Sequence, residues 1–181
     1  DIEQEELDYL GIRKRKEWFS SRYLLHLLSE REIRGACLKD TFGKPYLENS
    51  DHHISISHSA DYTAVIASTS VVGIDIQRIV AKIERIAPKF ISDDEVINIK
   101  DLSHIECMHT IWGAKESMYK AYGKKELDFK KHIFVLPFEY DANGFVFEGI
   151  VAFLVQLWPI VFFGFLSWFV FKKWKTMKKI A

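Results

Sequence analysis

Two short stretches of the 181-residue chain carry side chains whose types and spacing suit chemistry. The first is GIDIQ (73–77), at the end of an apolar run. Asp75 and Gln77 are two apart, so on a strand their carboxylate and amide leave the same sheet face. The second is WGAKESMYK (112–120), where Glu116 and Lys120 are four apart and share a helix face. If that face meets the strand end, Asp75 and Glu116 offer two hard oxygen ligands suited to Mg2+, which takes few carboxylates, several waters and a phosphate. A Glu–Lys pair at this spacing is by itself ordinarily a solvated surface pair, worth about 0.3 kcal/mol. Asp75 is more telling, because a carboxylate within an apolar strand is costly to bury without a partner.

Two further pieces could hold an anion. ISISHSAD (54–61) places Ser57 and His58 in what reads as a turn after an alternating strand, rich in small donors. Basic residues gather at Arg13, Lys14, Arg15, Lys16 and Arg22 near a first helix, with Lys44 in a Gly-Lys-Pro turn. A cation run is usually a solvated face, but these are the main candidates for a multiply phosphorylated ligand. His104, Cys107 and His109 fit no zinc spacing, and a helix would spread them over different faces. Trp112, Tyr119 and Tyr122 read as core, and Cys37 and Cys107 as packing residues of a reducing compartment.

The elements that must position these residues follow from periodicity. Residues 15–29 predict an amphipathic helix burying Trp18, Tyr23, Leu24, Leu27 and Leu28. The stretch 41–46 favours a turn with an extended exit. Residues 53–56, 62–68 and 71–76 read as three strands of one sheet, joined through 57–61 and 68–70. Ser92 and Glu95 form a capping box that starts a helix over 93–99. A longer helix covers 105–122 and stops at Gly123, and strands at 134–138 and 145–147 flank a turn at 141–144. The order predicts an α+β fold with helices packed on antiparallel sheet.

At 48% hydrophobic and 28% charged residues the chain is globular. Its net charge of zero hides an asymmetry, because five of the 25 basic residues are the lysines of the tail. Residues 1–149 thus hold 20 basic against 25 acidic side chains, which excludes a general nucleic-acid binder. Residues 150–171 run without a charge and are followed by KKWKTMKK. As a helix this run is long enough for a ~30 Å hydrocarbon core. The chain opens on Asp1 with no signal-peptide pattern, which reads as a missing beginning.

In this order, RKEWFSSRYLL, FGKPYL, ISISHSADYTAVIAS, VGIDIQRI, KFISDDE and IWGAKESMYKAYGK resemble the 4'-phosphopantetheinyl transferase superfamily, in its surfactin-synthetase-type (Sfp-type) branch. The resemblance spans about 13–149. It implies two similar α+β halves, 1–70 and 71–149, with the active site between them; residues 150–181, read from their composition as an apolar helix with a lysine-rich tail, depart from the family, which usually continues with polar, strand-forming sequence. It implies transfer of the 4'-phosphopantetheine group of coenzyme A to a serine of an acyl or peptidyl carrier protein, with Mg2+ and release of 3',5'-ADP. Asp75 and Glu116 would be metal ligands, Glu116 the base, and Lys120 a phosphate-neutralising cation. Arg22, Lys44, Ser57 and His58 would hold coenzyme A. Many members carry a third acid where this chain has Gln77, an amide that could hold a metal-bound water without adding charge.

A cytoplasmic monomer is expected, membrane-associated if the tail anchors it. By the positive-inside tendency the tail lysines would put the domain on the far side of the membrane from coenzyme A. The tail is therefore an anchor, a buried C-terminal segment, or a frameshifted, truncated or fused end. The competing function is a membrane-tethered, inactive protein that binds a carrier protein or coenzyme A.

Overall fold

The computed structural model describes residues 2–98, 103–136, 138 and 152–154. Two helices open the chain, α1 (Ile2–Asp8) and α2 (Ile12–Ser29). Four strands follow, β1 (Cys37–Lys39), β2 (Pro45–Leu47), β3 (His53–Ser59) and β4 (Tyr62–Ser68), in one antiparallel sheet of order β1-β2-β3-β4. Helices α3 (Lys82–Ile86), α4 (Asp93–Asn98) and α5 (Ile105–Tyr122) come next, with a 3-10 turn at Ala87–Lys89. Strands β5 (Ile133–Val135) and β6 (Ala152–Leu154) pair as a second antiparallel sheet beside α5. The architecture is α+β, as the pattern predicts.

Local sequence explains much of it. Asp40 builds the turn into β2, its carboxylate accepting the N–H groups of Phe42 at 2.9 Å and Lys44 at 2.8 Å. Gly43 takes the positive φ of 83° that this turn requires. The capping box forms, with the Ser92 N–H donating to Glu95 at 2.8 Å and the Glu95 N–H to Ser92 Oγ at 3.3 Å. Helix α5 ends where expected, at a left-handed Gly123 whose N–H donates to the Tyr119 carbonyl at 3.0 Å.

The core has two parts. Leu25 of α2 packs with Cys37, Leu47 and Ile54 on one face of the four-stranded sheet. Ile83, Phe90, Cys107, Ile111 and Val135 gather around α5. Trp112 stacks edge-on against Phe90, and Tyr119 against Phe129, so these aromatics are packing residues.

Four expectations need correction. Helix α2 buries Trp18, Ser21, Arg22 and Leu25, whereas Tyr23 and Leu27 are more than half exposed. The buried arc is set by Arg22, which turns inward to the carboxylates of α1, and periodicity cannot see that partner. Ser57 and His58 belong to β3 rather than to a turn, because the hairpin closes tightly at Ala60 and Asp61, with Ala60 at φ 53°. Residues 71–76 are not a strand; 71–80 run without regular secondary structure, satisfied by side chains instead of a ladder. Within the apolar stretch read as a spanning helix, Ala152–Leu154 is a strand, since an apolar run alone does not distinguish a buried strand from a helix. No helix among the described residues is long and apolar enough to cross a membrane. The rest of that stretch, the turn at 141–144 and the strand at 145–147 lie outside the described residues.

Candidate active site at the junction of β3 and α5

Strand β3 alternates, and its register with β4 settles which way each side chain points. Ile54, Ile56 and His58 pair with Ala67, Val65 and Thr63 on the face covered by α2. Ser55, Ser57 and Ser59 therefore stand on the opposite face. There they act as a partner strand made of hydroxyls. Ser55 Oγ accepts the Ile74 N–H at 3.1 Å, Ser57 Oγ the Ile76 N–H at 3.1 Å, and Ser59 Oγ the Arg78 N–H at 3.0 Å. Three serines at two-residue spacing thus dock three alternate amides of the segment that carries Asp75 and Gln77. Beyond them, His109 of α5 accepts the Val80 N–H at 3.0 Å through Nε2.

Asp75 lies between these amides, its side chain 10% exposed. Lys120 Nζ donates to Asp75 Oδ1 at 2.7 Å, to Ser57 Oγ at 3.0 Å and to the Ile74 carbonyl at 3.0 Å. The Ser57 hydroxyl donates to the same Asp75 oxygen at 3.0 Å. Ser57 gives one hydrogen and accepts two, which saturates a hydroxyl. Gln77 Nε2 donates to Asp75 Oδ2 at 3.2 Å. Helix α5 comes this close because Gly73 has no side chain, and a Cβ there would stand 1.9 Å from the Ser117 carbonyl oxygen.

Glu116 is half-buried on the same helix. Burial raises its pKa, the charge of Asp75 raises it further, and Lys120 opposes both. The site therefore combines a carboxylate already held by a lysine with a second carboxyl that resists ionisation beside it. A cavity of about 130 Å3 adjoins Lys120, with Lys44, Ser55, Tyr119 and Lys125 in its lining. Lys44 donates to the Ala121 carbonyl at 2.5 Å, and burial lowers its pKa.

Asp75, Gln77, Glu116, Lys120 and Ser57 are thus brought together, with Lys44 across the adjoining cavity. His58 is not with them. It faces α2, where its Nδ1 lies 3.1 Å from Thr63 Oγ1 and burial lowers its pKa. Arg22 is engaged elsewhere, donating to Glu3 at 3.3 Å, Glu6 at 3.3 Å and the Cys37 carbonyl at 3.2 Å, with its guanidinium 4.5 Å from the Trp18 ring centre. Sequence reasoning missed Ser55, Ser59 and His109 as supports. The alternation of serines along 55–59 was the available signal; nothing local marks His109.

Residues 71–146 fit the family model of the 4'-phosphopantetheinyl transferase superfamily. The resemblance read from the sequence is borne out over this stretch. It is 33% identical over 106 residues to the 4'-phosphopantetheinyl transferase gsp of Aneurinibacillus migulanus, a match that covers 57% of this chain and 44% of that relative. The chain therefore spans less than half the length of the curated relative it matches. The stretch fitted by the superfamily model contains Asp75, Gln77, Glu116 and Lys120, and ends short of the tail. Ser57, which ties Asp75 to Lys120, comes from outside it.

Proposed function

We propose that this chain transfers the 4'-phosphopantetheine group of coenzyme A to a serine of an acyl or peptidyl carrier protein, releasing 3',5'-ADP. The observation that carries the reading is the joining of Lys120 to Asp75 and Ser57, with Glu116 on the same helix. Keeping a base, a carboxylate and a cation in one cluster favours turnover over a tethered, inactive binding protein. Of that cluster only Ser57 comes from residues 1–70; Asp75, Glu116 and Lys120 all come from 71–149.

The donor set fits Mg2+. Asp75 and Glu116 supply two carboxylate oxygens whose mutual repulsion a divalent cation would relieve, and Gln77 adds an amide beside them. Two carboxylates leave room for the several waters and the phosphate that Mg2+ keeps. When bound there, Mg2+ would supply charge neutralisation for the pyrophosphate.

Phosphoryl transfer asks little covalent chemistry of a protein, and mostly positioning and charge. Glu116, with its raised pKa, is suited to take the proton of the carrier serine, because a base nearer the working pH transfers protons more effectively. The serine oxygen forms a bond to the phosphorus of the phosphopantetheine arm as the bond to the 3',5'-ADP oxygen breaks. Lys120 needs only to turn from Asp75 to meet charge on the leaving phosphate. Lys44, beside the adjoining cavity, is placed to meet the nucleotide end, and Ser57 keeps Asp75 oriented. In this reading Arg22 and His58 act from behind the sheet rather than as ligands.

Incubation of an apo carrier protein with coenzyme A and Mg2+ should add the mass of phosphopantetheine. Asp75→Ala and Glu116→Ala should abolish the gain. Absence of the gain with fatty-acid, polyketide and peptide carriers alike would refute the reading.

A further inference from the structure

Immediately before Glu116 stands Lys115, whose side chain is fully buried. Its ammonium donates to the Phe90 carbonyl at 2.6 Å, to Glu95 Oε2 at 2.7 Å and to the Phe129 carbonyl at 2.9 Å. All three hydrogens are used. Glu95, on α4, is 2% exposed and equally occupied. Its Oε2 also takes the N–H and hydroxyl of Ser92, at 2.8 and 3.0 Å, and its Oε1 takes the Val135 N–H of β5 at 2.8 Å. A single ion pair thus joins α5 to the loop at Phe90, to α4, to the loop at Phe129 and to β5.

Such a pair is a poor way to gain stability. Well-packed apolar side chains of the same volume usually serve as well or better, because desolvation offsets the attraction of buried charges. Hydrogen bonds differ from apolar contacts in being directional, with narrow ranges of distance and angle. Apolar packing alone leaves a helix some freedom to slide or roll; three bonds from one ammonium to three separate segments do not. On the side towards 71–80 there is no slack either, since Gly73 already lies against the Ser117 carbonyl. A slide of α5 by a single residue is about 1.5 Å, enough to break the 2.7 Å contact of Lys120 with Asp75.

We propose that the Glu95–Lys115 pair is a positioning device: it fixes the height and rotation of α5, and so sets Glu116 and Lys120 against Asp75. Its effect on metal binding rests on the transferase reading; the geometric claim does not. Lys115 and Glu95 touch no reacting group and act through the helix. This gives the Lys-Glu doublet of WGAKESMYK two separate tasks, an anchor at Lys115 and chemistry at Glu116.

The test compares the double variant Glu95→Gln/Lys115→Met, which removes both charges and leaves a carbonyl for the Val135 N–H, with Leu25→Ala, a destabilised control in the other part of the core. Both are studied at temperatures where thermal melts show each fully folded. The amine of Lys120 is acylated with an amine-reactive ester and quantified by peptide mass spectrometry, and Mn2+ affinity is measured by electron paramagnetic resonance with coenzyme A present. In the double variant Lys120 should label about fivefold faster than in the wild type, and Mn2+ should bind about 10–100-fold more weakly. The Leu25→Ala control should match the wild type in both. Unchanged labelling of Lys120 in the double variant overturns the proposal, and so does an equal increase in the control. A wild type that binds no Mn2+, together with faster labelling in the double variant, refutes the metal reading and supports the anchor. If the double variant does not fold, Glu95→Gln alone gives the same readouts: faster labelling supports the proposal, and wild-type labelling overturns it.

Discussion

Helix α5 carries two lysine–carboxylate pairs of identical length, Lys115–Glu95 and Lys120–Asp75, both at 2.7 Å. They differ in what surrounds them. The first is shut in, with both side chains at most 2% exposed. The second is at the surface of a cavity, with Lys120 26% exposed and a half-buried Glu116 nearby. A sealed pair can only hold parts together, because neither partner can exchange its bonds for anything else. An open pair can release its lysine to a ligand that offers more charge. The distance between charges says nothing of this, whereas access does.

The comparison breaks most visibly through activity. Glu116→Ala should lower the rate of carrier modification by about 10³-fold or more, the scale of losing a base and a charge-stabilising group together. It should leave the thermal midpoint nearly unmoved. A variant retaining more than a tenth of the wild-type rate would show that Glu116 takes no part in the reaction.

The sealed pair should respond in stability. Lys115→Met leaves Glu95 charged, buried and unpaired, which costs about 3–5 kcal/mol in unfolding free energy. Urea titration measures this directly, and a loss below about 1 kcal/mol would mean that water reaches Glu95.

The hydroxyl ladder separates the two roles within one strand. Ser55→Ala and Ser57→Ala each remove the acceptor of a backbone N–H, at a cost of about 1–3 kcal/mol where that group stays dry. Only Ser57 also holds Asp75 and Lys120, so Ser57→Ala should slow transfer beyond what equal destabilisation by Ser55→Ala does. Equal rates in the two variants would remove Ser57 from the site.

The smallest effect is one of pH. Burial, and then the charge of Asp75, lift the pKa of Glu116 above its ordinary 4.5. Folding therefore favours the protonated form: the contribution is fully present below 4.5 and is lost as pH rises through the raised value. Glu116→Gln, which cannot ionise, should match the wild type in acid and be slightly more stable at neutral pH in the absence of metal. Urea midpoints at both pH values give the comparison, and a less stable variant at neutral pH would reverse the sign.

Much of this was legible in the chain because it depends on neighbours in sequence. The limits of α5 follow from helical spacing and a glycine that tolerates positive φ, and the start of α4 follows from Ser92 and Glu95. The pairing of Glu116 with Lys120 on one face follows from four-residue spacing on α5, whereas Asp75 and Gln77 meet in a segment without regular secondary structure, where strand spacing does not apply. Other features were hidden for physical reasons. A turn and a strand end look alike in ISISHSAD, and moving Ser57 and His58 into β3 sends them to opposite faces. Residues 71–76 have a strand's composition, but their amides are taken by serine hydroxyls instead of a neighbouring backbone.

The sequence by itself determined which groups could do chemistry on α5 and beside Gly73, because local spacing and side-chain type are enough for that. Only the tertiary structure decided which of the basic residues remain available. Arg22, an obvious phosphate ligand by charge, is occupied by Glu3 and Glu6, and Lys115 by Glu95, whereas Lys120 meets Asp75 beside an open cavity. Charge is carried by the residue, but freedom to bind depends on partners brought from distant parts of the chain.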